Sequence, residues 1–206
     1  LYIKLFEVLF PVFFIVGIGY FLGKKNPNFD TSFITTYSAN FGTPSIVIFS
    51  ISASGVTFAM FSEYFLYAII LLTSFLIVGL IFLLLMKKDY LRELPTFFLP
   101  NTGNMGIPIC LFAYGKLGMG IAAAISSLVV LLHFTLNIFL AKREFDLNVI
   151  VKSPSFYAII ATILFLYYEI PLPIFVLNTV MLLAYGMIVM ILMSLGVSLT
   201  QMKVFS

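Results

Sequence analysis

Pro95-Thr96-Phe97-Phe98-Leu99-Pro100-Asn101-Thr102-Gly103-Asn104-Met105-Gly106-Ile107-Pro108-Ile109 sits where an uninterrupted apolar span belongs, and its reading decides the fold. Proline removes a backbone donor and clashes with the preceding turn. Glycine adds freedom that a helix does not favour. Freed backbone groups are costly in lipid, so irregular backbone survives there only when buried in protein or lining a cavity. The stretch predicts two half-helices, about Leu94–Pro100 and Ile107–Tyr114, joined by an unwound Asn101–Gly106.

The surroundings are those of a membrane protein. The chain has 206 residues, 62% of them hydrophobic, with 11 basic and 8 acidic side chains. A soluble domain devotes about a quarter of its residues to charge. Mean hydropathy is +1.16, too high for a water-covered surface. A soluble enzyme, a disordered tail and a nucleic-acid binder are excluded on these grounds, and the basic residues form no stripe that could follow phosphates. Cys110 is the lone cysteine and His133 the lone histidine, so no intrachain disulfide and no set of zinc ligands is expected. The first apolar stretch is longer than a signal-peptide core and reads as a retained helix.

Seven apolar segments follow from the charged and Pro/Gly-rich breaks: Leu5–Leu22, Phe33–Ser54, Tyr64–Met86, Leu94–Tyr114, Leu117–Ala141, Pro154–Ile170 and Phe175–Thr200. A span needs roughly 17–25 mostly apolar residues. With the N-terminus outside, the inner face collects Lys24, Lys25, Lys87, Lys88, Arg92, Lys142, Arg143, Lys152 and Lys203. The outer face keeps only Lys4 and Lys116. The positive-inside rule therefore places the N-terminus outside and the C-terminus inside. Gly19 and Gly23 read as a close helix contact, since their spacing does not fit a dinucleotide fingerprint.

The break carries the chemistry. A half-helix opening at Gly106-Ile107-Pro108 presents free N–H groups and a positive dipole end to the membrane centre, which suits a carboxylate. The preceding carbonyls suit a cation. Asn101 and Asn104 add side-chain donors and acceptors at the same level. A discontinuous helix at mid-depth marks secondary-transporter sites; a structural kink satisfied by neighbouring hydroxyls is the alternative. Segment two carries a milder interruption at Gly42-Thr43-Pro44, where a simple proline kink is equally good. His133 and Asn137 share a helix face in segment five, as ligands or as a helix–helix hydrogen bond. Glu7 and Glu169 are the only acids inside the segments, and each lies near one end. A coupling ion, H+ or Na+, must then use neutral oxygens, His133 or residues this chain does not contain. No cofactor or metal is expected, and no nucleophile or phosphate-loop motif points to an enzyme.

Leu9-Phe10-Pro11-Val12-Phe13-Phe14 through Gly17, Gly19, Tyr20 and Phe21 resembles the opening of the auxin efflux carrier family of membrane transport proteins. Thr43-Pro44-Ser45, Asn101-Thr-Gly-Asn-Met-Gly-Ile-Pro108 and Tyr114-Gly115 fit as well. The resemblance implies an all-α inverted-repeat transporter, similar to the bile-acid and sodium–proton exchanger folds, with one broken helix per repeat crossing at the substrate. Residues 1–141 would form the first five-helix repeat, with the broken helix at 94–114, and 142–206 the start of a second, incomplete one. It also implies a permease for small organic anions such as malate, malonate or auxin, in the cytoplasmic membrane. A homodimer through the scaffold helices agrees with that plan. The site carried over is Asn101, Thr102, Gly103, Asn104, Gly106 and Pro108, with Pro44, His133 and Asn137 as further candidates.

A seven-helix receptor and a channel are the competing readings. Segment seven lacks a retinal-binding lysine, a receptor does not need the mid-depth break, and no ring-forming charge or filter motif appears. On the repeat spacing, the counterpart of Asn101 would fall near position ~245. The 206-residue chain alone is therefore expected not to transport.

Overall fold

The computed structural model describes residues 2–137, 139–140 and 151–202, and the described residues are helices joined by short turns. Helix α1 is Tyr2–Lys25. Helices α2 (Ser32–Tyr37) and α3 (Thr43–Ser52) are joined by a wide π turn, Ser38–Gly42. Helix α4 is Phe58–Leu85. The short α5 (Tyr90–Glu93) and α6 (Pro95–Phe98) follow, then a second π turn, Thr102–Gly106, which leads into α7 (Ile107–Leu132). A third π turn covers His133–Asn137. Helices α8 (Pro154–Tyr167) and α9 (Ile174–Gln201) complete the set.

Local chemistry sets these ends. Thr57 caps α4 by accepting from the Met60 N–H at 3.3 Å, and Asp89 accepts from the Leu91 N–H at 3.1 Å. Helix α4 stops where Lys87 turns left-handed (φ 53°) and the Lys88 N–H reaches back to Leu83 O at 3.0 Å, satisfying a terminal carbonyl. Glu169 (φ 54°) closes α8 in the same way, with Ile170 N–H on Phe165 O at 2.9 Å.

Gly115 interrupts α7 at φ 69°, ψ −159°, a conformation that favours glycine. The chain folds back there. A Cβ on Gly118 would stand 2.8 Å from the Cys110 carbonyl oxygen and 2.5 Å from Tyr114 Cβ. Thr102 and Ile125 line one cavity, although a straight helix would hold them roughly 35 Å apart. Residues 107–114 and 116–132 are thus two antiparallel arms, in agreement with the division between segments four and five.

Among the described residues, four helical runs are long and apolar enough to cross a membrane: Tyr2–Lys25, Phe58–Leu85, Tyr90–Leu132 (which includes the fold-back) and Ile174–Gln201. Helix α8, at 14 residues, is shorter than the segment read from the sequence. Only 22% of the most apolar window of α4 is buried, and Leu66, Ile70, Val78 and Ile81 point outward. That surface suits lipid and not water. The protein is an all-α, multi-pass membrane protein.

Helix α3 lies at the centre, packed by α7, α8 and α9. Ile46, Val47, Phe49 and Ile51 join Ile107, Met119 and Ala122–Ala124 in the core. Helices α1 and α9 meet along a seam of glycines. A Cβ on Gly196 would lie 2.6 Å from the Tyr20 backbone nitrogen, and one on Gly23 would lie 3.0 Å from Val197 Cα. Gly19 meets the Met193 carbonyl at still closer range. The close contact read at Gly19 and Gly23 is therefore a contact with α9. Of the basic residues used for orientation, Lys142, Arg143 and Lys203 lie outside the described residues.

Candidate functional site

Leu99 lies between two turns of helix in an extended conformation (φ −106°, ψ 84°), as the residue before a proline is biased to do. Asn101 (φ −78°, ψ 63°) is non-helical too. Helical geometry then resumes at Thr102, with the Gly106 N–H on Asn101 O at 3.3 Å. The non-helical stretch is therefore Leu99–Asn101, whereas the sequence reading put it at Asn101–Gly106. The reason lies in Pro100 and Pro108. Pro100 extends its predecessor, while Pro108 removes one donor and is accommodated by the wider turn before it. The Thr102 N–H is taken by Pro100 O at 2.8 Å, so the free N–H groups of the helix start are those near Gly103–Met105, one turn earlier than Gly106-Ile107-Pro108.

A cavity of about 520 Å³ opens at this point. Its first wall is Leu99–Asn104 with Ile107. Its second is the α2–α3 segment, through Thr35, Ser38, Thr43 and Val47. The returning arm of α7 supplies Ser126, Val129, Val130 and His133, and α9 supplies Met187 and Ile191. No Asp, Glu, Lys or Arg lines it among the described residues. The helix start at Thr102 thus brings its positive end to a wall without competing acids. Nδ1 of His133 lies 3.1 Å from Val129 O, to which it donates in the tautomer that carries the proton on Nδ1.

Five of the residues named from the sequence therefore meet: Asn101, Thr102, Gly103, Asn104 and His133. Gly106 lines a neighbouring cavity of about 570 Å³ between the α7 arms, together with Thr102, Cys110 and Tyr64. Pro108 is buried at the start of α7, and Pro44 opens α3; both shape the backbone and neither lines the cavity. The side chain of Asn137 lies outside the described residues. No group of three or more His, Cys, Asp or Glu that could hold a metal occurs among the described residues.

Sequence reading missed Thr35, Ser38, Thr43 and Ser126. Small hydroxyls in apolar helices usually bond their own backbone, and here many do: Ser127 donates to Ala123 O at 2.8 Å and Thr162 to Ala158 O at 2.7 Å. Only the fold distinguishes Ser126 from Ser127.

A membrane protein whose described residues are helical, with a largely apolar cavity beside Leu99–Asn101 that no Asp, Glu, Lys or Arg lines among the described residues, fits the class of membrane transporters. Residues 4–155 match the membrane transport protein family, and the chain belongs to that family, the one that contains the auxin efflux carriers. No curated protein and no solved structure matches it.

Proposed function

We propose that the chain is part or all of a secondary carrier for small organic anions, with the cavity at Asn101–Asn104 as its binding site. One observation carries the reading: a helix start, two asparagines and His133 converge on a cavity whose lining has no acid. Asn101 and Asn104 donate amide hydrogens, the Gly103–Met105 backbone offers N–H groups, and the apolar α9 wall takes the body of the substrate. The interruption at Leu99–Asn101 acts as the discontinuous helix of a carrier, exposed to each side in turn. Residues 1–141 form a first repeat and 142–206 open a second, inverted one. The N-terminus lies outside the cytoplasmic membrane, scaffold helices including α1 pair two copies, and His133 is the group available for coupling to H+. Malate- or malonate-like acids and auxin-like acids are the substrates to try. The reading is that of a carrier and not of an enzyme, receptor or channel.

Uptake of labelled malonate or indole-3-acetate into proteoliposomes tests the proposal. Saturable uptake that unlabelled acid competes away is expected from the carrier. Linear, non-competable flux would indicate a channel.

A further inference from the structure

Ser38-Ala-Asn40-Phe-Gly42-Thr-Pro44 and Thr102-Gly-Asn104-Met-Gly106-Ile-Pro108 share one pattern: hydroxyl, asparagine, glycine and proline at alternate positions. They also share one geometry. The first five residues of each form a π turn, and the proline sits in the first turn of the helix that follows. Proline has no N–H and its ring crowds the carbonyl four residues back, here that of Asn40 or Asn104. Widening the turn by one residue relieves both problems. Two segments that are not neighbours in sequence are thus built by the same local device.

The device has the same output in both places. Ser38 Oγ and Thr102 Oγ1 are buried and have no hydrogen-bond partner within the protein, and both residues line the cavity. Ser126 Oγ, from the returning arm of α7, is in the same condition on the same cavity. Ser38 is 6% exposed and Ser126 1%. Elsewhere in the bundle Ser74, Ser127, Thr162 and Thr179 each donate to the carbonyl four residues back, while Ser50, Ser153 and Ser155 are buried without a partner away from the cavity; what sets Ser38, Thr102 and Ser126 apart is that all three line one cavity. A buried hydroxyl without a partner is costly, more so at membrane depth.

We infer that Ser38, Thr102 and Ser126 form a hydroxyl set that receives the carboxylate of the transported anion, beside the asparagines. The inference rests on the carrier reading above and deepens it. A carboxylate can accept from several donors at once, whereas three neutral hydroxyls with no acid nearby are a poor cage for a bare cation. The positive helix end at Thr102 favours the anion as well.

The test is equilibrium binding of labelled malonate and labelled indole-3-acetate to the full chain in lipid nanodiscs. Ser38→Ala and Ser126→Ala should each weaken binding about tenfold, the effect of losing a hydrogen bond to a charged group. Ser38→Thr and Thr102→Ser keep the hydroxyl and should stay within about threefold of the unaltered chain. Ser74→Ala and Thr179→Ala, whose hydroxyls bond their own helices, should be silent. Unchanged affinity in Ser38→Ala and Ser126→Ala would overturn the assignment and leave these hydroxyls to water. Equal losses in Ser38→Ala and Ser38→Thr would reduce Ser38 to packing and overturn it too. If the unaltered chain binds neither acid at millimolar concentration, both this assignment and the carrier reading fall.

Discussion

Tyr37 donates its phenolic hydroxyl to the carbonyl oxygen of Leu183 at 2.9 Å, tying the end of α2 to the middle of α9. Gly186 makes room for it: a Cβ there would lie 3.4 Å from the Tyr37 oxygen. Ser38, the residue after Tyr37, and Met187, one helical turn beyond Leu183, reach the cavity. Tyr37→Phe should remove about 1 kcal/mol of stability, the usual net worth of one such bond. Melting of the purified chain in detergent measures it. An unchanged melting temperature would mean that the α2–α9 junction rests on packing alone.

Asn101→Ala and Asn104→Ala should each cut anion binding or uptake at least tenfold while leaving expression intact, since each removes an amide from the cavity wall. Phe75→Leu, on the outward face of α4, should change little. Parallel loss of folded protein at all three positions would reduce the asparagines to a structural role.

Gly118 and Gly17 should respond oppositely to alanine. At Gly118 the methyl meets the Cys110 carbonyl and Tyr114 Cβ, so the α7 fold-back must spread, at a cost of about 1–3 kcal/mol. Around Gly17 nothing lies within 4 Å, and alanine should stabilise α1 by roughly 0.5–1 kcal/mol. Thermal melting of the two variants against the parent separates these signs. Two melts shifted equally downward would contradict the fold-back.

Orientation is open to labelling. With Cys110 replaced by serine, single cysteines between Ala53 and Glu63 should react with an impermeant maleimide from outside, and one beside Lys88 should not. The reverse pattern would invert the proposed topology.

Asp30 accepts from both the N–H and the hydroxyl of Ser32, each at 2.8 Å, and these bonds hold its carboxyl below the usual carboxylate range. A pKa lowered on folding contributes stability that is present above the unfolded value, about 3.9, and is lost as pH falls through the folded one. The destabilisation caused by Asp30→Ala should therefore be measurable at pH 6 and should shrink toward pH 3. A difference that persists at low pH would assign it to something other than the carboxylate.

Much of this was legible in the sequence because membranes make simple demands. Lys24–Lys25 and Lys87–Lys88 mark helix ends by charge, and Gly115 marks the fold-back by the one conformation that other residues avoid. Pro100 disclosed that the helix stops, but not on which side of Asn101 it resumes. Two prolines competed for that position, and only the carbonyl geometry decides between them. Ser38 and Ser126 were invisible for a different reason. A serine in an apolar helix reads the same whether it bonds its own backbone or faces a cavity, and that choice is made by neighbours distant in sequence.

The glycine seam between α1 and α9 fixes more than proximity; it acts as a detent. Slipping α9 by one turn, about 5.4 Å, would bring Leu192 or Thr200 to the place where Gly196 now meets Val16 and Tyr20. Neither fits where only a hydrogen atom has room. The two helices consequently hold one register and travel as a single beam. In the carrier proposed above, a stroke that reshapes the cavity would then fall to the walls that face this beam, the α2–α3 segment, the α7 fold-back and the stretch before it, moving past α9 at Met187 and Ile191.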